Sequence, residues 1–281
     1  MSSPQNDPPQ NRKIPFTKAS ACGNDFLLVE GAHATGDLAL LTRRLCDRHR
    51  GVGADGVEWL FPDAQSGVDV KARLINSDGS EAEISGNGTR CVAAGICSRR
   101  DTTEPKTEVV VRTGAGLKTC RLVTQQGSAF EFEADMGPPE IGEQLSIETM
   151  GVRVVGTQVS MGNPHFVIFV ENFQEGWQRQ GAVIQTQPQF PQGTNVVYVV
   201  VGGANGRCAN EIEIRMFERG AGETESSGTG SCASAVAAIA SGRVASPVTV
   251  VAPGGSQTVR WENQVYLRGP ATLICRGEFF V

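Results

Sequence analysis

The sequence predicts an α/β (α+β) protein of two pseudo-symmetric lobes, each a β-sheet or barrel wrapped around one central buried helix, with a site in the cleft between them. Three observations lead there. Short strand-like runs outnumber helical ones along the chain. Two helices of small apolar residues recur about half a chain apart, and the motifs that open them are near copies of each other. At 281 residues the chain is long for one core and comfortable for two lobes of about 130 residues each.

Runs that alternate or are rich in Val and Ile, bounded by Gly, Pro, Asn or Asp, read as strands. They are Phe26–Glu30, Val57–Phe61, Val68–Asn76, Glu108–Arg112, Ala129–Ala134, Val152–Val159, Phe166–Val170, Asn195–Val201 and Glu211–Phe217. Leu38–Arg50 places Leu38, Leu41 and Leu45 at helical spacing with basic residues near its end. Thr89–Arg99 and Ser231–Ser241 are so rich in Ala, Val and Ile that both helices should be buried on nearly all sides.

Ser85-Gly86-Asn87-Gly88 opens the first of these buried helices and Ser227-Gly228-Thr229-Gly230 the second, a separation of 227 − 85 = 142 residues. Just upstream, Glu81-Ala82-Glu83-Ile84 matches Glu223-Thr224-Glu225-Ser226. Gly23-Asn24-Asp25-Phe26 recurs as Gly162-Asn163-Pro164-His165-Phe166, at 162 − 23 = 139 residues. Two motif pairs at nearly one offset indicate a duplication. The expected division is a first lobe of 14–133 plus 268–281 and a second of 134–267. Residues 1–13, polar and proline-rich, read as a disordered tail.

Composition excludes several function classes. The net charge is −5 and the basic residues are scattered, so no nucleic-acid partner is expected. No apolar run approaches the roughly 20 residues that span a bilayer, and the longest, Val196–Val201, is strand-sized, so no membrane partner is expected either. Eight cysteines spread along a chain without a secretory signal suit reduced thiols and a cytoplasmic setting. With three histidines (His33, His49, His165) and no zinc-finger spacing, no metal is expected. Gly51-Val52-Gly53-Ala54-Asp55-Gly56 fits a dinucleotide fingerprint by letter, but a helix precedes it and a strand follows, the reverse of what such a site needs. Gly222 to Thr229 has the outline of a P-loop without its lysine. No cofactor is expected.

A single Ser-Gly-x-Gly segment is ordinarily a tight turn with an N-cap. Two, one per lobe, carry more. Each helix N-terminus presents unpaired N–H groups and a positive dipole end, and glycine leaves that backbone bare. If both point into one cleft they form a cradle for a carboxylate. A pseudo-twofold site also offers one chemical group to each face of a bound carbon, which inversion of a stereocentre requires.

Phe16-Thr17-Lys18 with Gly23-Asn24-Asp25-Phe26, Asn76-Ser77-Asp78-Gly79-Ser80-Glu81-Ala82-Glu83, Gly162-Asn163-Pro164-His165, Gly193-Thr194-Asn195-Val196 and Phe217-Glu218-Arg219-Gly220-Ala221-Gly222-Glu223-Thr224 run in an order that resembles the diaminopimelate epimerases from about Ile14 to the C-terminus. The resemblance implies a PLP-independent, cofactor-free isomerase that interconverts LL- and meso-diaminopimelate in lysine and peptidoglycan precursor biosynthesis. It also implies a small-molecule amino-acid substrate, a closing cleft and a homodimer. By position, Asn24, Asn76, Asn163, Asn195, Glu218 and Arg219 would hold the substrate, Gly86, Asn87, Gly228 and Thr229 would give N–H donors to its α-carboxylate, and His165 and Glu218 would tune the acid/base pair.

The family's two catalytic cysteines would stand at Ser85 and Ser227. A thiol has a pKa near 8.5, lower still at a helix N-terminus, whereas an alcohol needs a neighbouring base to lose its proton. Three accounts are open: a natural variant that kept the ligand site and lost or altered the reaction, an introduced double exchange, or replacement by Cys91 and Cys232. A catalytically silent amino-acid-binding protein and an isomerase or dehydratase of another amino acid are the alternative functions. Cys22, Cys46, Cys97, Cys120, Cys208 and Cys275 read as structural, and of these Cys22 alone, beside Gly23-Asn24, could face the cleft.

Overall fold

Strand pairing closes the first lobe on itself. The computed structural model describes residues 12–99, 106–202 and 210–281. The first half carries β1 (Lys13–Ala21), β2 (Asn24–Glu30), α1 (Leu38–Cys46), β3 (Gly56–Phe61), β4 (Val70–Asn76), β5 (Glu81–Ala82), α2 (Gly86–Cys97), β6 (Glu108–Thr113), β7 (Gly116–Gln126) and β8 (Ala129–Asp135). The second carries β9 (Glu140–Thr149), β10 (Val152–Ser160), β11 (Pro164–Phe169), α3 (Trp177–Ile184), β12 (Asn195–Val201), β13 (Glu211–Glu218), β14 (Gly222–Thr224), α4 (Gly228–Ala240), β15 (Val248–Ala252), β16 (Gly255–Trp261) and β17 (Val265–Phe280).

The ladder runs β1–β2–β3–β4–β6–β7–β8–β17 and returns to β1, an eight-stranded barrel. Its interior holds α2. Cys91, Val92, Ala93 and Ala94 pack against Phe26, Leu28, Leu74, Val109, Phe130 and Phe132, all buried. Small residues are required because a barrel of this size has little room beyond its own side chains. A side chain on Gly95 would begin 2.7 Å from Leu28 Cδ1. The second lobe repeats the plan with β9–β10–β11–β12–β13–β15–β16–β17 around α4. Parallel pairs fall at matching places, β2–β3 and β4–β6 in one lobe and β11–β12 and β13–β15 in the other. That agreement is independent of the sequence motifs and supports the duplication.

Two helices lie outside the barrels. α1 covers β3 with Leu41 and Leu45, tied by Trp59 Nε1 donating to Thr42 Oγ1 at 3.2 Å. α3 covers the second lobe through Trp177 and Ile184. The 16-residue β17 joins the lobes, since it pairs with β16 at its start, β8 in its middle and β1 at its end.

The structure departs from the sequence expectations in places. The helix expected over Leu38–Arg50 ends at Cys46, because Asp47 turns extended (ψ 120°) and its carboxylate accepts from the N–H groups of His49 and Arg50, each at 2.8 Å. Both buried helices start earlier than expected, since each Gly-x-Gly forms the first helical turn. Lys13, assigned with the tail, is the first residue of β1; residues 1–11 lie outside the described ones.

Candidate functional site

The two buried helices meet end to end at their N-termini. Ser85 and Ser227 are N-caps in extended conformation, and their Oγ atoms accept from Gly88 N at 3.1 Å and Gly230 N at 3.2 Å. A Cβ added to Gly86 would lie 3.9 Å from the Gly228 Cα, and the reverse holds equally, so the two helix termini are in van der Waals reach of each other. The leading N–H groups of each helix have no intrahelical partner. They open on a cleft of about 620 Å³ between the lobes.

Ten of the expected site residues line this cleft: Asn24, Asn76, Ser85, Gly86, Asn87, Asn163, Glu218, Ser227, Gly228 and Thr229. Their orientations are held by neighbours. Asn24 donates to Asp55 Oδ2 at 3.0 Å and accepts from Asn87 Nδ2 at 2.8 Å. Asp55 is gripped by Arg48 at 2.8 Å, and Arg48 also pairs with Asp25 at 2.8 Å. Asn76 donates to Ser80 Oγ at 3.0 Å, and Asn163 to Thr229 Oγ1 at 3.3 Å. Glu218 ends β13; burial pushes its carboxyl above the usual range, and the neighbouring Ser227 and Thr224 hydroxyls pull it partly back.

Three expected residues stand behind the lining. His165 is buried, with Nε2 3.1 Å from Asn163 Oδ1 and Nδ1 without a partner. Burial pushes its pKa down to about 3, so the ring is neutral and orients Asn163. Asn195 accepts the Arg219 N–H at 2.9 Å, and the Arg219 guanidinium donates to Gln192 O at 2.7 Å, away from the lining. The lining also includes Asp55, Glu83, Arg90, Lys118, Asp135 and Ser226, which the sequence reading did not single out. Asp55 was in view inside Gly51–Gly56, but only as part of a nucleotide pattern. Lys118 belongs to a strand the hydrophobic pattern does not reveal.

Cys91 and Cys232 cannot take over from the serines. Both are fully buried, neither lines the cleft, and burial pushes the Cys232 thiol up to about 12 and Cys91 higher still. Buried thiols of this kind are packing groups. Cys22, expected beside the cleft, is buried at positive φ (50°) and off the lining. Cys275 is exposed, and Cys208 lies outside the described residues. Among the described residues no cluster of His, Cys, Asp and Glu is arranged to hold a metal ion, and no helix is long and apolar enough to cross a membrane.

The arrangement can do two things chemically. Converging N–H groups and helix dipoles favour a carboxylate. A hydroxyl from each lobe flanks that position, one beside Glu218.

Comparison with known proteins decides the family. The family model described as diaminopimelate epimerase matches residues 16–142 and 157–274. The chain belongs to the diaminopimelate epimerase family. It is 38% identical to the diaminopimelate epimerase of Desulfitobacterium hafniense, over 93% of this chain and 96% of that one. To the Pelotomaculum thermopropionicum enzyme of the same name it is also 38% identical, covering 94% and 98%. Among solved structures, a hydroxyproline epimerase from Agrobacterium vitis, with bound trans-4-hydroxy-L-proline, has a TM-score of 0.71 at 18% identity, covering 96% of this chain and 93% of that one. A methylitaconate-delta-isomerase has a TM-score of 0.66 at 14% identity, covering 96% of each. These two show the shared two-lobed fold.

Proposed function

We propose that this chain is an amino-acid epimerase of the diaminopimelate type that works without PLP or any other cofactor, in lysine and peptidoglycan precursor biosynthesis. The observation that carries the reading is the meeting of the two capped helix N-termini, Ser85-Gly86-Asn87 and Ser227-Gly228-Thr229, on one cleft. The α-carboxylate sits on the N–H groups of both helices, and Asn24, Asn76 and Asn163 hold the remaining polar groups. Asn195 and Arg219 reach the ligand's distal end only if the lobes close, because the guanidinium now rests on Gln192. The lobes are assigned to 14–133 with 268–281 and to 134–267. A cytoplasmic setting and a homodimer belong to the same reading and rest on the family resemblance.

Inversion proceeds by removal of the α-proton on one face and delivery of another on the opposite face. Ser227 has Glu218 beside it to exchange its proton, and His165 acts in the same lobe by orienting Asn163, which donates to Thr229 Oγ1. With hydroxyls in both positions turnover is slow, because an alcohol gives up its proton less readily than a thiol. The test is LL-to-meso conversion by chiral chromatography at high enzyme concentration, with the melting curve in parallel. Ligand at about 100 times its dissociation constant should add roughly 2.7 kcal/mol of stability. A melting shift with no conversion favours the second reading, a silent amino-acid-binding protein. The observation on its side is that both serine oxygens are already engaged as caps.

A further inference from the structure

Among the described residues, one buried cation on the cleft wall has no partner of opposite sign. Arg90 lies one turn into α2, is 1% exposed, and still contributes to the lining. Its contacts among the described residues are neutral: Nη2 donates to Asn87 Oδ1 at 2.6 Å, Nε donates to Pro270 O at 3.2 Å, and Nη2 lies 3.9 Å from Cys22 Sγ. Burying a cation without a counter-ion costs several kcal/mol unless an anion joins it. We propose that the ligand's α-carboxylate is that anion, and that Arg90 is a positioning residue for it, acting through Asn87; this rests on the carboxylate placement of the proposed function.

Asn87 is the hub that makes the connection. Its backbone N–H belongs to the α2 cradle, and its side-chain amide donates to Asn24 Oδ1 at 2.8 Å and to Ser226 Oγ of the other lobe at 3.3 Å. Arg90 occupies the one acceptor of that amide, so the side chain has a single orientation and the first turn of α2 is fixed. The second lobe carries no charge at the duplicated position. At the duplicated position, 90 + 142 = 232, stands Cys232, buried and neutral. The cradle is therefore electrically lopsided, and the carboxylate is drawn toward α2. The Arg90 charge also partly offsets the effect of burial on the thiols of Cys22, Cys91 and Cys120 and, in the second lobe, of Cys232.

The experiment compares wild type, Arg90→Met and Arg90→Lys for affinity toward LL-diaminopimelate and toward its diamide, whose carboxylates are replaced by neutral groups. Arg90→Met should weaken diaminopimelate about 10- to 100-fold, a loss of roughly 1.4–2.7 kcal/mol, and leave the diamide unchanged. Arg90→Lys keeps the charge and should hold diaminopimelate within a few-fold. Equal losses for both ligands in either variant would make Arg90 a strut between α2 and β17 and overturn the proposal, as would no loss at all in Arg90→Met. If Arg90→Met does not fold, Arg90→Lys alone decides, because a strut role weakens both ligands and a charge role weakens neither. Wild type that binds neither ligand refutes the reading of the cleft itself, and the Arg90 proposal falls with it.

Discussion

Replacing Ser85 and Ser227 together with cysteine is expected to raise LL-to-meso inversion by roughly 10²–10⁴-fold, the range that a positioned acid–base group contributes. The geometry around both positions is already that of a thiol site. Each lies at the N-cap of a buried helix whose dipole favours the anionic form, which for a thiol means a pKa below its usual value. Single changes should not match the double. One base strips the proton from one face and an acid on the other face must supply its replacement, so a lone thiol opposite a serine exchanges the α-proton on its own side but inverts slowly. Exchange, read by mass spectrometry, and inversion, read by chiral chromatography, should separate in the single variants and converge in the double. A double variant that binds ligand yet shows neither would mean that the site serves binding alone.

The second large effect concerns stability. Glu58, on β3, points into the first barrel and is 3% exposed. Its carboxyl sits against Gly88, where any side chain on α2 would collide with it; in the second lobe the matching Gly230 faces Met216 sulfur. Burial alone pushes the Glu58 pKa up to about 8 from an ordinary 4.5. Below pH 4.5 both folded and unfolded states carry the proton. Between 4.5 and about 8 the unfolded chain ionises and the folded one does not, so the folded state binds more protons and stability falls as pH rises. Above about 8 both are ionised and the penalty is constant. Glu58→Gln, neutral at every pH and nearly isosteric, should therefore match wild type near pH 4.5 and exceed it by a few kcal/mol at pH 8, at about 1.4 kcal/mol per pH unit. Urea unfolding at pH 5, 6.5 and 8 checks this. Parallel stability profiles for the two proteins would show that Glu58 is ionised in the fold or reached by water.

The lobed fold and most of the cleft were legible in the chain because duplication wrote each feature twice. Ser85-Gly86-Asn87-Gly88 alone is an ordinary capped turn, but with its copy at Ser227 it marks a site on the axis between two lobes. The buried helices were legible because only a residue set as small as Cys91–Ala94 fits inside a barrel. What escaped has physical reasons too. β7 and β9 face water for much of their length, so Lys118, Arg121, Glu143 and Gln144 hide the alternation. β17 contains Gly269-Pro270, which reads as a turn, yet the strand continues and pairs through it. α3 is only eight residues long and is preceded by Gly176, which offers no side-chain cap. Arg90 and Asp55 escaped because their roles depend on partners far along the chain, the Pro270 carbonyl for one and the Asn24 side chain for the other, and spacing carries no trace of such contacts.

The measurement closest to the central claim is solvent-deuterium exchange at the α-carbon of LL-diaminopimelate with the unaltered protein. It detects proton abstraction far slower than a conversion assay can follow. If the paired helix termini hold the α-carboxylate between two working hydroxyls, deuterium should enter the α-position in proportion to protein and time, and Ser85→Ala with Ser227→Ala should abolish it. Bound diaminopimelate that keeps its α-hydrogen through prolonged incubation in deuterium oxide would contradict the epimerase reading and leave this cleft a binding site.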